Sequence, residues 1–308
     1  SVENADIVLS DHFHELGIKE NRIFRHMMKY GSHKQYLVWT EEPRFSIHFK
    51  SVVRYPFLPP LHVLNPYTGI FLKNEDTHFF APSGSEAKKL PFLEEFDFQN
   101  RKIVALMRYR NNQREWSLKH NGKELDLCYL RTQIGLKGHA LGVMDIYGQG
   151  WGDAIRKGVS RAGKFHGEKM EILSHYHFNL AFENTNFSYY CTEKIWDPIC
   201  AHCLPIYYGE DNAIYDDFPR NSFLDYCEFE SAEEMFAYIQ AMTAAEFRER
   251  INLCIQAHNT VIDRVMAQKQ VTGDVPPSFQ RLVEKLHELM VPQPQGGKAL
   301  GRSHKLAA

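Results

Sequence analysis

Residues 178–209 read FNLAFENTNFSYYCTEKIWDPICAHCLPIYYG. An apolar run over 178–182 gives way to a polar and aromatic turn over 183–190. A helix pattern starts near Thr192, and a second apolar run over 204–208 closes at Gly209. Strand, loop, helix and strand in this order form the repeating unit of an open parallel sheet. In such sheets ligands sit beyond the carboxyl ends of the strands, where backbone N–H groups and the start of the next helix converge. The loop and helix start here carry Asn184, Tyr190, Thr192, Glu193 and Lys194. An amide, a phenol, a hydroxyl, a carboxylate and an ammonium at one helix N-terminus suit a phosphorylated sugar nucleotide.

Strand and helix patterns alternate on either side of this stretch. Upstream, residues 5–10 read as a buried strand, and residues 20–30 as a helix with Ile23, Phe24, Met27 and Met28 at helical spacing. A second strand over 35–40 ends in Glu41-Glu42-Pro43, where proline stops strand pairing and leaves two carboxylates at the strand's end. Read locally, that is a solvated acidic turn. Residues 46–81 are rich in Phe, Tyr, His and Pro, with short strands expected at 52–55 and 70–72 and turns at Pro59-Pro60 and Tyr67-Thr68-Gly69. Residues 82–99 are the expected crossing to a second domain.

That domain starts at the apolar run 102–107, which suits a central parallel strand. A basic loop over 108–119 leads to a helix expected over 125–137, with Leu127, Leu130 and Ile134 on one face and Arg131 beside it. A strand over 143–147 follows, then Gly148-Gln149-Gly150-Trp151-Gly152, which reads as a tight turn because it lacks a complete dinucleotide fingerprint. His175 and His177 alternate ahead of the central strand and read as structural. Past the central stretch, Ser231-Ala-Glu-Glu234 and Thr243-Ala-Ala-Glu246 are capping boxes that start two helices. Pro277-Ser278 starts a third, whose Phe279, Leu282, Val283, Leu286, Leu289 and Met290 form an apolar stripe for core packing.

With 308 residues, 44% hydrophobic and 24% charged, the chain can bury a sizeable core, most simply as two domains. A net charge of -2 gives no basic field for nucleic acid, so any anion site must be local. No apolar run is long enough to span a bilayer, and residues 1–20 have no signal-peptide pattern. The chain opens with Ser1 partway into an α/β unit, so its first domain is expected to be truncated at the start. Gly296-Gly297 and the residues after them read as a vector-derived tail. Six cysteines include Cys200-Ala-His-Cys203, which has no second ligand pair at zinc spacing and reads as buried small residues on the central helix. The cysteine pattern suits a reducing compartment. A glycan on the sequon Asn186-Phe187-Ser188 would obstruct the proposed donor loop.

Phe-Glu-Asn-Thr, a short spacer, Tyr-Cys-Thr-Glu-Lys-Ile-Trp and Leu-Pro-Ile-Tyr-Tyr-Gly together resemble the signature of the α-1,3-fucosyltransferases, which take fucose from GDP-fucose. The resemblance continues weakly through Pro219, Ser222, Phe223 and Leu224, and thins to isolated positions before about residue 100. It implies two Rossmann-like domains facing across a cleft, the GT-B architecture. The expected division is an acceptor-side domain over 1–95, a GDP-fucose-binding domain over 96–295 and a tail over 296–308. It also implies that Arg131 contacts the donor pyrophosphate and that a carboxylate before a proline turn is the general base, with Glu42 the closer match and Glu41 second. Asn184, Tyr190, Glu193 and Lys194 complete the expected donor site. The family usually has a helix former where this chain has Pro198, so the dipole contribution depends on where the helix starts.

Sugar transfer from a nucleotide sugar develops negative charge on the departing diphosphate, which calls for cations and N–H donors. Lys194, Arg131 and the helix N-terminus can supply these without an obligatory metal. Inversion needs a base on the opposite face to accept the acceptor hydroxyl's proton. The expectation is an inverting fucosyltransferase forming an α-1,3 linkage to N-acetylglucosamine or glucose in a glycan acceptor. Its alternatives are transfer from another nucleotide sugar and a catalytically inactive nucleotide- or glycan-binding module. The expected location is bacterial cytoplasm at the membrane's inner face, or the Golgi lumen for a eukaryotic source whose anchor was removed.

Overall fold

The computed structural model describes residues 4–11, 22–40, 42–45, 52–65, 88–98, 100–159, 165–272, 283–284 and 286–287. Two mainly parallel α/β sheets are present, the α/β architecture expected from the sequence. The first contains β1 (Ile7–Asp11), β2 (Gln35–Trp39), β3 (Val52–Val53) and β4 (Leu61–Leu64), in the order β1-β2-β4-β3. β1, β2 and β4 run parallel, and β3 is an antiparallel edge. Side chains alternate across β2. Tyr36 and Val38 pack on Ile23, Phe24 and Met27 of α1 (Arg22–Tyr30), while Leu37 faces the other way with Leu64 and Leu286. Burial on both faces is what a parallel sheet demands.

The second sheet is built from β5 (Ile103–Leu106), β8 (Met144–Tyr147), β9 (Arg156–Gly158), β10 (Phe178–Leu180), β11 (Leu204–Tyr207) and β12 (Leu224–Asp225). Between β5 and β8 lie the short helix α2 (Gln113–Trp116), the hairpin of β6 (Lys119–His120) and β7 (Lys123–Glu124), and helix α3 (Cys128–Ala140). Helix α4 (Phe165–Ser174) precedes β10, and α5 (Glu193–Cys200) joins β10 to β11. The capping boxes start α6 (Ala232–Ala241) and the 29-residue α7 (Ala244–Thr272). In both, the cap hydroxyl accepts the expected N–H, Glu234 to Ser231 at 3.1 Å and Glu246 to Thr243 at 3.2 Å.

The six strands run parallel in the order β12-β11-β10-β5-β8-β9. The chain therefore moves outward from β5 through β8 and β9, then restarts beside β5 at β10 and moves the other way. The carboxyl ends of β5 and β10 form the topological switch point, where doubly wound sheets open a crevice for ligands. The stretch 178–209 that decides the fold also leaves the sheet at this point.

Several boundaries differ from the sequence reading. The segment expected to begin a helix at Leu125 instead forms an isolated antiparallel bridge at Asp126, paired with Thr185: Leu127 N–H donates to the Asn184 carbonyl at 3.1 Å and Asn186 N–H to that of Leu125 at 2.7 Å, with Leu127 the residue that caps the helix. Helix α3 starts only at Cys128. Cys203 lies past the end of α5 rather than on it, and His175 and His177 sit in the turn before β10. His177 accounts for itself structurally, its Nε2 meeting the Asp97 carbonyl at 2.9 Å among Phe96, Phe98 and Phe247. The glycine turn after β8 is a close backbone approach: a Cβ on Gly148 would stand 1.9 Å from the Met107 carbonyl oxygen. Trp151 Nε1 donates to the same oxygen at 2.8 Å. The expected strand at 70–72, the turn at 67–69, the start of the third helix at 277–278 and the tail lie outside the described residues.

Residues 88–98, within the expected crossing, run along α7. Asn259 accepts the Leu90 N–H at 2.7 Å and donates to its carbonyl at 2.9 Å. Asn252 does the same for Leu93 at 2.8 and 3.0 Å. Two asparagines seven positions apart lie on one helix face, so each replaces a missing strand partner for the crossing segment. Among the described residues no helix is long and apolar enough to cross a membrane.

Candidate active site

The loop after β10 is organised by Glu183, whose side chain is 2% exposed. Its carboxylate accepts the Thr192 N–H at 2.7 Å, the Thr192 hydroxyl at 2.8 Å and the Lys194 ammonium at 2.9 Å. Burial pushes the Glu183 carboxyl above the ordinary glutamate range, and the Lys194 charge opposes that push. A buried carboxylate needs such partners, and charge-assisted hydrogen bonds are the strong ones. Thr192 thereby faces inward. As the N-cap of α5 it makes no capping hydrogen bond, because its hydroxyl goes to Glu183 and accepts from Lys194 at 2.9 Å. The first turn of α5 is left without a side-chain cap, as an anion-binding helix start requires.

Helix α5 begins at Glu193, so Glu193 and Lys194 lie in its first turn and not on a lead-in loop; Pro198 is inside the helix. Lacking an N–H, Pro198 leaves the Lys194 carbonyl without its helical donor. Burial alone would lower the Lys194 ammonium. Glu183, Glu193 and Glu42 outweigh it and hold Lys194 above the ordinary lysine range. Glu193 is half-exposed, 3.8 Å from Lys194, and drawn down to about 2 by that charge, with Lys169 assisting. Lys169 itself forms a buried ion pair with Asp197 at 2.5 Å, tying α4 to α5.

Arg131 rises from α3 beneath the same loop and is 6% exposed. Its Nη1 donates to the Phe182 carbonyl at 3.0 Å and its Nη2 to Asn184 Oδ1 at 2.8 Å. The resemblance implies an arginine at the donor pyrophosphate; its described side-chain hydrogen bonds, including Nη1 to the Glu183 carbonyl at 3.4 Å, all go to the loop's own groups. The Asn184 amide in turn donates to Glu42 Oε1 at 3.1 Å. Glu42 is held from its own side by its N–H to the Thr40 hydroxyl at 3.3 Å and by the Asn65 amide on its carbonyl at 2.9 Å. The structure thus brings together Glu42, Asn184, Arg131, Lys194 and Glu193. Tyr190 is placed inward, 3% exposed, with its N–H on the Phe187 carbonyl at 3.1 Å. Glu41 lies outside the described residues.

Sequence reasoning passed over Glu183. The available signal was a carboxylate directly after the buried run 178–182, where only a partnered charge is tolerated. Among the described residues no group of three or more His, Cys, Asp or Glu side chains is placed to hold a metal. Cys200 lies 3.8 Å from His258 Nε2, and burial pushes its thiol up to about 12, away from thiolate chemistry.

Residues 133–266 match the model of the family described as glycosyltransferase family 10 (fucosyltransferase) C-term. The alpha-(1,3)-fucosyltransferase FucT of Helicobacter pylori is 43% identical over 72 residues, 23% of this chain and 15% of that protein. The alpha-(1,4)-fucosyltransferase of Arabidopsis thaliana is 39% identical over 70 residues, 23% of this chain and 17% of that protein. A solved structure described as an alpha1,3-fucosyltransferase with GDP aligns at 16% identity and a TM-score of 0.40, covering 88% of this chain and 79% of that one. The matches to the two enzymes thus span less than a fifth of either. Residues 133–266, less than half of the chain, are thus similar to the C-terminal domain of glycosyltransferase family 10, the fucosyltransferases.

Proposed function

We propose that the chain is an inverting glycosyltransferase that moves L-fucose from GDP-fucose to a hydroxyl of a glycan acceptor. The observation that carries this reading is the Asn184 amide, bonded to Glu42 at 3.1 Å while it accepts from Arg131 at 2.8 Å beside Lys194. One amide thereby joins a cationic, uncapped helix start at a topological switch point to a carboxylate from the first sheet. The sheet over 103–225 is the donor side, and the one over 7–64 the acceptor side.

In this reading Lys194 and the N–H groups of α5 take the donor diphosphate, and the Arg131 Nε, which has no hydrogen bond among the described residues, adds an N–H. Glu193, held ionised, accepts from ribose or fucose hydroxyls; Tyr190 lines the loop behind it. The acceptor oxygen attacks the anomeric carbon as its bond to the diphosphate oxygen breaks, and the hydroxyl proton passes to Glu42. The electron pair leaves with GDP, whose new charge meets Lys194. Atoms balance with no further cofactor. The linkage is α-1,3 to N-acetylglucosamine or glucose by the motif's likeness to α-1,3 enzymes, and any membrane association is peripheral.

Calorimetry with GDP-fucose, with GDP-mannose and UDP-galactose as competitors, tests the donor assignment without knowledge of the acceptor. Selective GDP-fucose binding lost in Lys194→Ala supports it. Preference for another nucleotide sugar overturns the fucosyl assignment, and binding of none points to an inactive module.

A further inference from the structure

Arg44 stands two residues past Glu42, in the turn Pro43–Phe45. Its guanidinium forms an ion pair with Asp126 and also donates to the Trp116 carbonyl; the side chains of Arg44 and Asp126 are 15% and 2% exposed. The other Asp126 oxygen accepts the Tyr129 N–H at 2.9 Å, at the start of the helix that carries Arg131. Two guanidinium groups approach the Trp116 ring, Arg110 at 4.2 Å and Arg44 at 5.5 Å from its centroid.

The partners of Glu42 and Arg44 are themselves neighbours. Asn184 and Asp126 lie on the two short segments that pair around the antiparallel bridge from Asp126 to Thr185. Adjacent extended segments lie about 5 Å apart, and two residues of chain reach at most about 7 Å. A single short turn can therefore place one side chain on each segment. Glu42 lands on the loop after β10 and Arg44 on the segment before α3.

We propose that Arg44 is a positioning residue for transfer: its pairing with Asp126 fixes the turn and so aims the Glu42 carboxylate over the donor loop. This rests on the fucosyl-transfer reading. Thr40 and Asn65 hold the Glu42 backbone from its own side, and of its described hydrogen bonds only the one from Asn184 reaches across to the second sheet's loops. The Arg44 pair supplies the second anchor, and planar Arg–carboxylate pairing is directional. Because Arg44 touches neither the α5 helix start nor Lys194 in any described contact, its loss should spare the donor.

The test measures kcat, acceptor KM and GDP affinity for wild type, Arg44→Ala, Arg44→Lys, Asp126→Asn and the Arg44→Ala/Asp126→Asn double variant, with thermal unfolding alongside. The expected result is a 10- to 100-fold fall in kcat for Arg44→Ala, with GDP affinity within threefold of wild type. Arg44→Lys recovers part of the rate, and the double variant is no worse than the poorer single one. An active wild type whose Arg44→Ala and Asp126→Asn variants keep kcat overturns the inference alone. So does equal loss of GDP affinity and rate in Arg44→Lys, which reduces Arg44 to a structural brace. A wild type that binds GDP-fucose but transfers nothing overturns the transfer reading, and the inference with it.

Discussion

Glu42 and Asn184, 142 positions apart in sequence, share a hydrogen bond of 3.1 Å from the asparagine amide to the glutamate carboxylate. The same amide group accepts from buried Arg131 at 2.8 Å, so the candidate base and the loop of the candidate donor site are two ends of one chain of hydrogen bonds. Replacing the carboxylate should therefore separate chemistry from binding. Glu42→Gln keeps a polar group facing Asn184 and removes the proton acceptor, so transfer should fall by about 10²–10⁴-fold. GDP affinity by calorimetry should stay near wild type.

Lys194 serves the fold and the diphosphate together. Lys194→Ala removes one charge-assisted hydrogen bond to the donor, about 1.5–3 kcal/mol, or roughly 10- to 150-fold in affinity. It also strands buried Glu183, and removing one partner of a buried pair destabilises by about 3–5 kcal/mol. The double variant Glu183→Gln/Lys194→Met should regain most of the lost stability in denaturant unfolding without regaining donor affinity. Recovery of both would place the phosphate contact elsewhere.

The acid limb of stability should show Glu193. Its folded value, about 2, lies below the ordinary 4.5, so its contribution is present above about pH 4.5 and is lost as pH falls toward 2. The side chain is 45% exposed, so after solvent screening the effect is below about 1 kcal/mol. Glu193→Gln should lower stability slightly at pH 7 and flatten the fall between pH 4.5 and 2, measured by chemical unfolding at a series of pH values.

Gly148→Ala puts a Cβ 1.9 Å from a backbone oxygen that the β5–β8 pairing holds in place. A backbone atom cannot rotate aside, so the variant should lose more than about 4 kcal/mol or fail to fold. Thermal unfolding, with Gly152→Ala as the control that meets nothing within 4 Å, checks this.

The crossing segment gives a contrasting case. Asn252→Ala or Asn259→Ala removes two hydrogen bonds to extended backbone, about 1–3 kcal/mol in all. Either variant should admit limited proteolysis within 88–98 while leaving GDP affinity unchanged.

The sequence made the strand, loop, helix and strand of 178–209 legible because both strands sit in mainly apolar runs, the first broken by Asn179, and Thr192 marks the helix start; β10, α5 and β11 follow that pattern closely. The capping boxes were legible for the same local reason. Edge and short elements were not: β9 reads Arg-Lys-Gly, with little apolar signal, and β4 follows two prolines that suggest only a turn. Helix α4 was missed because its apolar residues do not gather on one face. The candidate site was legible in its residue types but not in its contacts. The hold of Arg131 on the Phe182 carbonyl and of Asn184 on Glu42 depends on chain segments far apart in sequence, which no local pattern encodes. Glu183 was hidden for a related reason: its partners nine and eleven positions downstream meet it only once α5 folds back over the strand end.

The most direct test is fucose transfer itself. Wild type and Glu42→Gln are incubated with GDP-fucose and a panel of glycans bearing N-acetylglucosamine or glucose, with products followed by mass spectrometry and anomeric configuration by NMR. The account predicts a wild-type product carrying one added fucose with inverted anomeric configuration, and almost none from Glu42→Gln despite intact GDP binding. Retention of configuration, or equal turnover by the two proteins, would contradict it.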